Sequence, residues 1–169
     1  MTDAEFRDAF HGHKDVVHRF AYRMTGSSSA AEDIVQDCFL ILWRKPTAYD
    51  SGRGRMQAFL LGIARNLILK RWRDERPHEE LDDSFVGQPL NIGEDGRAEA
   101  VQRAILMLPP LQREAVVLAE YEDISLEEIA HATASELAAV KSRLHRARQN
   151  LRRILAPLLE PKGVFNGTK

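Results

Sequence analysis

Cysteine is nearly absent: the 169 residues hold one, Cys38. An internal disulfide framework is therefore excluded, and a reducing compartment fits. Long apolar runs are missing too. The longest, "CFLILW" at 38–43, falls far short of the ~18 residues a membrane span needs. The start, "MTDAEFRDAF", is acidic and lacks the apolar segment of a signal peptide. These absences predict a cytoplasmic protein without membrane insertion. Net charge is equally scarce, at −1, so the total says nothing of a polyanionic partner. No segment alternates as a strand would, and no repeat is visible. With no nucleophile–base set, no phosphate loop and no Cys or His partner for Cys38 at metal-ligand spacing, neither an enzyme nor a cofactor is expected.

What is there is helical periodicity. Phe6, Phe10, Val17, Phe20 and Tyr22 recur at loose helical spacing over 3–24. "TGSSS" at 25–29 breaks the pattern and supplies a serine cap for a second helix over 29–44, which stops before Pro46. The glycine-bearing loop "YDSGRGR" leads to a third helix over 55–76, ended by Pro77. Residues 78–97 hold no period and are rich in Pro, Gly, Asp and Glu: Glu79, Glu80, Asp82, Asp83, Glu94 and Asp95 stand against Arg97. This stretch reads as a linker. Helices follow over 98–107, 110–121, 125–132 and 136–156, with "LPP" between the first two and a capping-box spacing, Ser125 to Glu128, opening the third. The expected fold is all-α: two small helical domains, 1–77 and 98–156, joined by a flexible acidic linker, 78–97, and followed by a frayed tail, 157–169.

The position of charge is more telling than its sum. Residues 53–76 carry Arg53, Arg55, Arg65, Lys70, Arg71, Arg73 and Arg76 against Asp74 and Glu75. The last helix carries Lys141, Arg143, Arg146, Arg148, Arg152 and Arg153 against Glu136. A neutral total thus hides two basic patches, one per half, with an acidic strap between them. Such patches are the footprint of nucleic-acid binding, or else solvated helix faces.

Helix faces sharpen the choice. In the last helix Val140, Leu144, Ala147, Leu151 and Ile154 form one stripe at about 100° per residue. Lys141, Ser142, His145, Arg146, Gln149, Arg152 and Arg153 fall on the other side. A short helix, a tight connection and this longer basic helix have the layout of a helix-turn-helix, in which the second helix enters the major groove; an ordinary helical hairpin is the alternative. In the third helix Met56, Phe59, Ile63 and Leu67 point one way, with Arg65, Trp72 and Arg76 the other. Arginines bind phosphate and an aromatic stacks on an exposed base, although interfacial packing explains Trp72 equally. The second helix is apolar on both sides. Ile34, Cys38 and Ile41 share one face, while Gln36, Phe39, Leu40 and Trp43 lie largely opposite. It is either sandwiched in a core or half-docked on a partner.

Here the motifs carry a resemblance. "LPPLQREAVVLAEYEDISLEEIA" followed by "VKSRLHRARQNLR" resembles region 4 of bacterial RNA polymerase sigma factors, particularly the extracytoplasmic-function (ECF) group. Pro109, Arg113, Leu118, Ser125, Glu128, Ile129, Ala130, Val140 to Leu144, Arg146 to Arg148, Leu151 and Arg152 carry it. "AEDIVQDCFLILWR" at 31–44 resembles sigma region 2.2, and "FLLGIARNLILKRWRDERP" at 59–77 resembles regions 2.3 and 2.4. The two halves stand in the family's order over about 1–155.

The resemblance implies a sigma factor that binds core RNA polymerase, reads and melts a promoter −10 element through region 2, and reads a −35 element through region 4. It implies core-polymerase contacts at Asp33, Gln36, Asp37, Phe39 and Trp43. The −10 element would meet Tyr49, Arg53, Arg55, Arg65, Asn66, Lys70, Trp72 and Arg73. The −35 element would meet Lys141, Ser142, Arg143, His145, Arg146 and Arg148. Promoter DNA, core RNA polymerase and an anti-sigma factor are the implied partners. Two other readings stand beside it, a sigma mimic that titrates an anti-sigma factor and a stand-alone helix-turn-helix repressor. The turn departs from the family: "TASELAAV" puts Ala134 and Ala138 at the usual glycine positions and Ala139 at a usual threonine. Alanine in a left-handed turn costs on the order of 1 kcal/mol.

Overall fold

A computed structural model describes residues 1–77, 84–91, 93 and 96–159. Among these, the regular elements are all helical. Helix α1 (Asp3–Thr25) opens on a capping box in which the Glu5 backbone N–H donates to Thr2 Oγ1 at 3.2 Å and the Thr2 N–H to Glu5 Oε2 at 2.6 Å. It closes on Gly26 at φ +69°, the left-handed conformation that glycine adopts without cost. Ser27 caps α2 (Ser28–Arg44), accepting from the Ala30 N–H. A short 3₁₀ turn, Pro46–Ala48, leads through the loop to α3 (Met56–Glu75). Helices α4 (Arg97–Met107), α5 (Pro110–Val116), α6 (Leu126–Ala132), α7 (Leu137–Ile154) and the single turn α8 (Ala156–Leu159) make up the second half.

Buried apolar residues from both halves join in one continuous core. Val17, Phe20, Ala21 and Met24 of α1 meet Ala31, Ile34, Cys38 and Leu42 of α2 and Leu60, Leu61, Ala64 and Ile68 of α3, all at most 1% exposed. In the second half Ala104, Ile105, Leu108, Val117, Leu118 and Ile129 close over the α7 stripe of Val140, Leu144, Ala147 and Ile154. Burial of each large side chain contributes about 1.5–3 kcal/mol. Leu151, the remaining stripe residue, is half-buried.

Two elements differ from expectation. The helix expected over 110–121 passes at Val117 into a π turn, Val117–Tyr121, closed by the Glu122 N–H donating to Val117 O at 3.2 Å. In α3 the expected inward stripe of Met56, Phe59, Ile63 and Leu67 is only half-buried, while Ala58, Leu60, Leu61, Gly62, Ala64, Ile68 and Leu69 are buried. The reason is that α3 is covered twice. Helices α1 and α2 pack on one side and α6 on the other. At that second contact a Cβ on Gly62 would lie 3.2 Å from both Ala132 Cβ and Ala132 O, so the approach of α6 depends on a residue without a side chain.

The acidic residues Glu79, Glu80, Asp82, Asp83, Glu94 and Asp95, and tail residues 160–169, lie outside the described residues. The stretch 84–90 is docked along α7. The Gly87 N–H donates to Asn150 Oδ1 at 2.9 Å and the Leu90 N–H to Ile154 O at 2.9 Å. Asn150 Nδ2 donates to Gln112 Oε1 at 2.8 Å and to Phe85 O at 3.3 Å. Asn150→Ala removes these partners from buried groups. It should lower the free energy of unfolding by about 2 kcal/mol, measurable by urea denaturation.

Cys38 is fully buried, its thiol donating to Leu60 O at 3.4 Å. Burial pushes the thiol pKa up to about 12, so the reactive thiolate is negligible at neutral pH. Native protein should therefore resist iodoacetamide at pH 8 and react fully in denaturant, as mass spectrometry would show.

Candidate nucleic-acid interface

Helix α7 presents its polar face to solvent because its apolar stripe is taken up by α5 and α6. Lys141, Ser142, His145 and Arg146 are exposed along that face. Arg143 and Arg148 are engaged within the protein. Arg143 is half-buried, and its Nη1 donates to Ser135 Oγ in the turn at 2.9 Å. Arg148 donates to Glu120 on the π turn, with Nε at 3.0 Å. Arg143 therefore braces the turn, and Arg148 ties α7 to the helix behind it.

The turn itself resolves the missing glycine. Ala134 takes φ +49°, the left-handed region, whereas Ala138 lies inside α7. Around it the Ser135 N–H donates to Ala130 O at 2.9 Å and Thr133 Oγ1 to Ile129 O at 2.7 Å. The helix-turn-helix geometry is thus kept, with an alanine holding the strained position.

The second candidate face lies on α3 and the loop before it. Asp50 Oδ1 accepts from the Gly52 N–H at 2.9 Å and Asp50 pairs with Arg53 at 3.6 Å, closing a tight turn. Tyr49 packs on Phe59 with ring centroids 5.4 Å apart, and its hydroxyl donates to Gly54 O at 3.4 Å. A cavity of about 220 Å³ opens between this loop, Phe59 and Asn66 on one side and Glu128 and His131 of α6 on the other. Arg53, Asn66, Lys70 and Arg73 are exposed; Trp72 is half-buried under the guanidinium of Arg113, whose Cζ stands 4.9 Å from the ring centroid.

On α2, Asp33, Gln36, Asp37, Leu40 and Trp43 are exposed, Leu40 by 43% and Trp43 by 49%. Phe39 is 3% exposed, its ring edge-on to Phe6 and Phe10 at 6.3 and 5.0 Å. Expected as a contact residue, it belongs instead to the core beneath that surface, because α1 covers it. Phe6 also backs Trp43, with centroids 5.0 Å apart.

The two halves meet through apolar packing and through charge. Arg65 grips the buried Glu114 with two hydrogen bonds, Nε to Oε2 at 2.7 Å and Nη2 to Oε1 at 3.1 Å. Arg55 grips Glu128 in the same way, at 3.2 and 3.0 Å, and reaches Asp123 O at 3.1 Å. Arg19 and Arg23 approach Glu122 at 3.7 and 3.6 Å. Arg113 crosses in the other direction. It donates to Met24 O at the end of α1, and to Leu106 O and Leu108 O at 2.6 and 3.0 Å at the end of α4. A cation there suits the negative end of a helix dipole. Burial lowers the Arg113 pKa to about 10, so it stays charged at neutral pH. Burial raises the pKa values of Glu114 and Glu122, and the Arg55 hydrogen bonds lower that of Glu128.

Comparison with known proteins fits this arrangement. The model of sigma-70 region 2 matches residues 9–78, and that of sigma-70 region 4 matches 98–151. The ECF RNA polymerase sigma factor SigW of Bacillus subtilis is 31% identical, with 90% of each chain covered. The chain belongs to the ECF group of sigma factors. Sigma factors direct promoter-specific initiation and regulate transcription. This sigma factor is also 38% identical to ECF RNA polymerase sigma factor SigE of Mycolicibacterium smegmatis, over 85% of this chain and 59% of that one. Among solved structures, the sigma factor RpoE of Bartonella quintana, crystallised with the anti-sigma factor NepR, matches with a TM-score of 0.69 at 26% identity. That match covers 90% of this chain and 97% of that one.

Sequence reasoning passed over Glu114, Glu122, Gly62 and Asn150, and gave Arg113 no role. The one visible signal was polar: Gln112, Arg113 and Glu114 interrupt an otherwise apolar segment, and all three are buried. For the turn, Ala134→Gly should stabilise the protein by about 0.5–1 kcal/mol by removing left-handed strain. A rise in the thermal midpoint would show it; a fall would mean that chain entropy outweighs strain at this site.

Proposed function

We propose that the sigma factor divides its work among three surfaces. The open face of α7, with Lys141, Ser142, His145 and Arg146 exposed on a helix braced by α6, carries the reading of a −35 element. That exposure is the observation on which the proposal rests most heavily. A recognition helix needs an unobstructed row of donors for base edges and phosphates, and a brace behind it. Domains over 1–77 and 98–156 house the two readers.

The loop and α3 would read and melt the −10 element. Tyr49, Arg53, Arg55, Asn66, Lys70 and Arg73 supply phosphate and base contacts, with Arg65 and Trp72 joining once their partners in the second half withdraw. The cavity beside Tyr49 and Phe59 is small, below the ~300 Å³ of sites for drug-sized ligands, and suits one planar base stacked against an aromatic ring. Core RNA polymerase would dock on α2, where Asp33, Gln36 and Asp37 surround the exposed Leu40 and Trp43. An apolar patch rimmed by acids is the usual character of a protein-binding surface. The RpoE–NepR complex supports an anti-sigma partner for this chain as well, and its place of work is the cytoplasm, with the polymerase. A pure mimic of a sigma factor would have no need of the exposed donors on α7.

Run-off transcription with bacterial core polymerase and a pooled promoter library tests this reading. Transcripts with defined starts and shared upstream elements are expected. Lys141→Ala with Arg146→Ala should cut −35-dependent transcription about tenfold or more, at ~1–3 kcal/mol per lost contact, without altering polymerase binding. Asp37→Ala should weaken polymerase binding in a pull-down while the circular dichroism spectrum stays native. Loss of polymerase binding in the α7 variant would overturn the division.

A further inference from the structure

Between α1 and α4 lies a basic groove that the reading of promoter and polymerase leaves unused. It forms two adjoining hollows of about 730 and 380 Å³, within the ~300–1,000 Å³ of small-ligand sites. His18, Arg19, Tyr22 and Arg103 line the larger, Arg97 and Tyr121 line the smaller, and Arg23 and Gln102 border both. None of the residues proposed to meet DNA or polymerase borders either hollow.

The cations here are under-used. Arg19 and Arg23 share one carboxylate, that of Glu122, at 3.7 and 3.6 Å. A charge-assisted hydrogen bond closes to about 2.7–2.9 Å, as Arg65 does on Glu114 at 2.7 Å. Glu122 is buried, so it cannot turn outward to meet them better. The other carboxylate at the groove, Glu99, folds back over Gly96, its Oε2 2.6 Å from where a Cβ would stand. Among the described residues, four arginines thus face two acids. Arg23 is steadied between the hollows by the Tyr121 ring, with its Cζ 4.1 Å from the centroid. Gln102 adds a buried Nε2 without an acceptor. Tyr22 and Tyr121 are 41% and 42% exposed.

A fitting ligand carries oxygens for guanidinium forks and a flat face for a tyrosine. Phosphate meets the first need, because arginine binds it through paired hydrogen bonds. A nucleobase meets the second by stacking. We propose that the groove binds a nucleoside di- or triphosphate, with phosphates on Arg19, Arg23 and Arg97 and the base on Tyr22 or Tyr121. Such a ligand touches one helix from each half, away from the DNA and polymerase faces. It is therefore an effector of the sigma factor rather than a part of promoter reading.

Isothermal titration calorimetry of the full chain with ATP and with GTP tests this, at low ionic strength to limit screening. At least one should bind with a Kd below about 1 mM, and its parent nucleoside should not bind. Arg19→Ala with Arg97→Ala should weaken nucleotide binding about tenfold or more, with an unchanged circular dichroism spectrum. Arg97→Ala alone, at an exposed position in the first turn of α4, should give part of that loss. One of Tyr22→Ala and Tyr121→Ala should weaken nucleotide but not inorganic tripolyphosphate. Lys141→Ala with Arg146→Ala should leave nucleotide affinity unchanged. Absence of nucleotide binding, or a loss confined to the α7 variant, would overturn the proposal. Indifference to both tyrosine changes would overturn the assignment to a nucleotide. A labelled single strand that loses affinity in the Arg19 and Arg97 variant, while nucleotides keep theirs, would also overturn it, since the groove would then track nucleic acid.

Discussion

A carboxylate buried between two helical layers needs a cation, and for Glu114, 1% exposed, that cation is Arg65. Burial pulls the Glu114 pKa up and Arg65 pulls it back. The pair persists only if α3 and α5 keep their spacing and angle. The surrounding contacts follow from that constraint. With α3 so placed, Arg55 reaches Glu128, Gln57 reaches the Glu122 carbonyl, and Gly62 admits α6 without a clash. Hydrophobic burial runs continuously through both halves, and directional charge adds orientation where they meet. Such pairs specify geometry more than they stabilise it.

Much of the secondary structure was legible because its signals are local. Caps at Ser27 and Ser125, the proline stops and the 3.6-residue stripe of α7 involve neighbours in sequence, and those helices lie within a residue or two of where they were expected. The α3 stripe was misread for a non-local reason. A helix covered on both sides has no single apolar face, and the second cover comes from residues some 70 positions away, as with Gly62 and Ala132. The π turn at Val117 carries no composition signal. Phe39 was ambiguous from the start, since a helix apolar all round leaves the choice of inner face to its neighbours, and α1 made that choice.

The site divides in the same way. Exposed donors on α7 could be listed from periodicity alone, because an apolar stripe defines its opposite. Which arginines are spoken for could not. Arg65, Arg143 and Arg148 each find a partner inside the protein. Only Arg143, eight residues from Ser135, finds it nearby in sequence. Ala134 shows the reverse case: the motif resemblance flagged a missing glycine, and the backbone at φ +49° places the alanine in the left-handed conformation that glycine favours.

The docking of residues 84–90 on α7 has a consequence for how the halves find one another. Gly87 and Leu90 travel with the second half, held by Asn150 and Ile154. In the sequence, residues 76–83 are all that separate the end of α3 at Glu75 from the clamped strap. A short tether sets a high effective concentration, of millimolar order, of one half in the vicinity of the other. Lengthening or releasing the strap would dilute each half from the other's surroundings without touching a single contact between them.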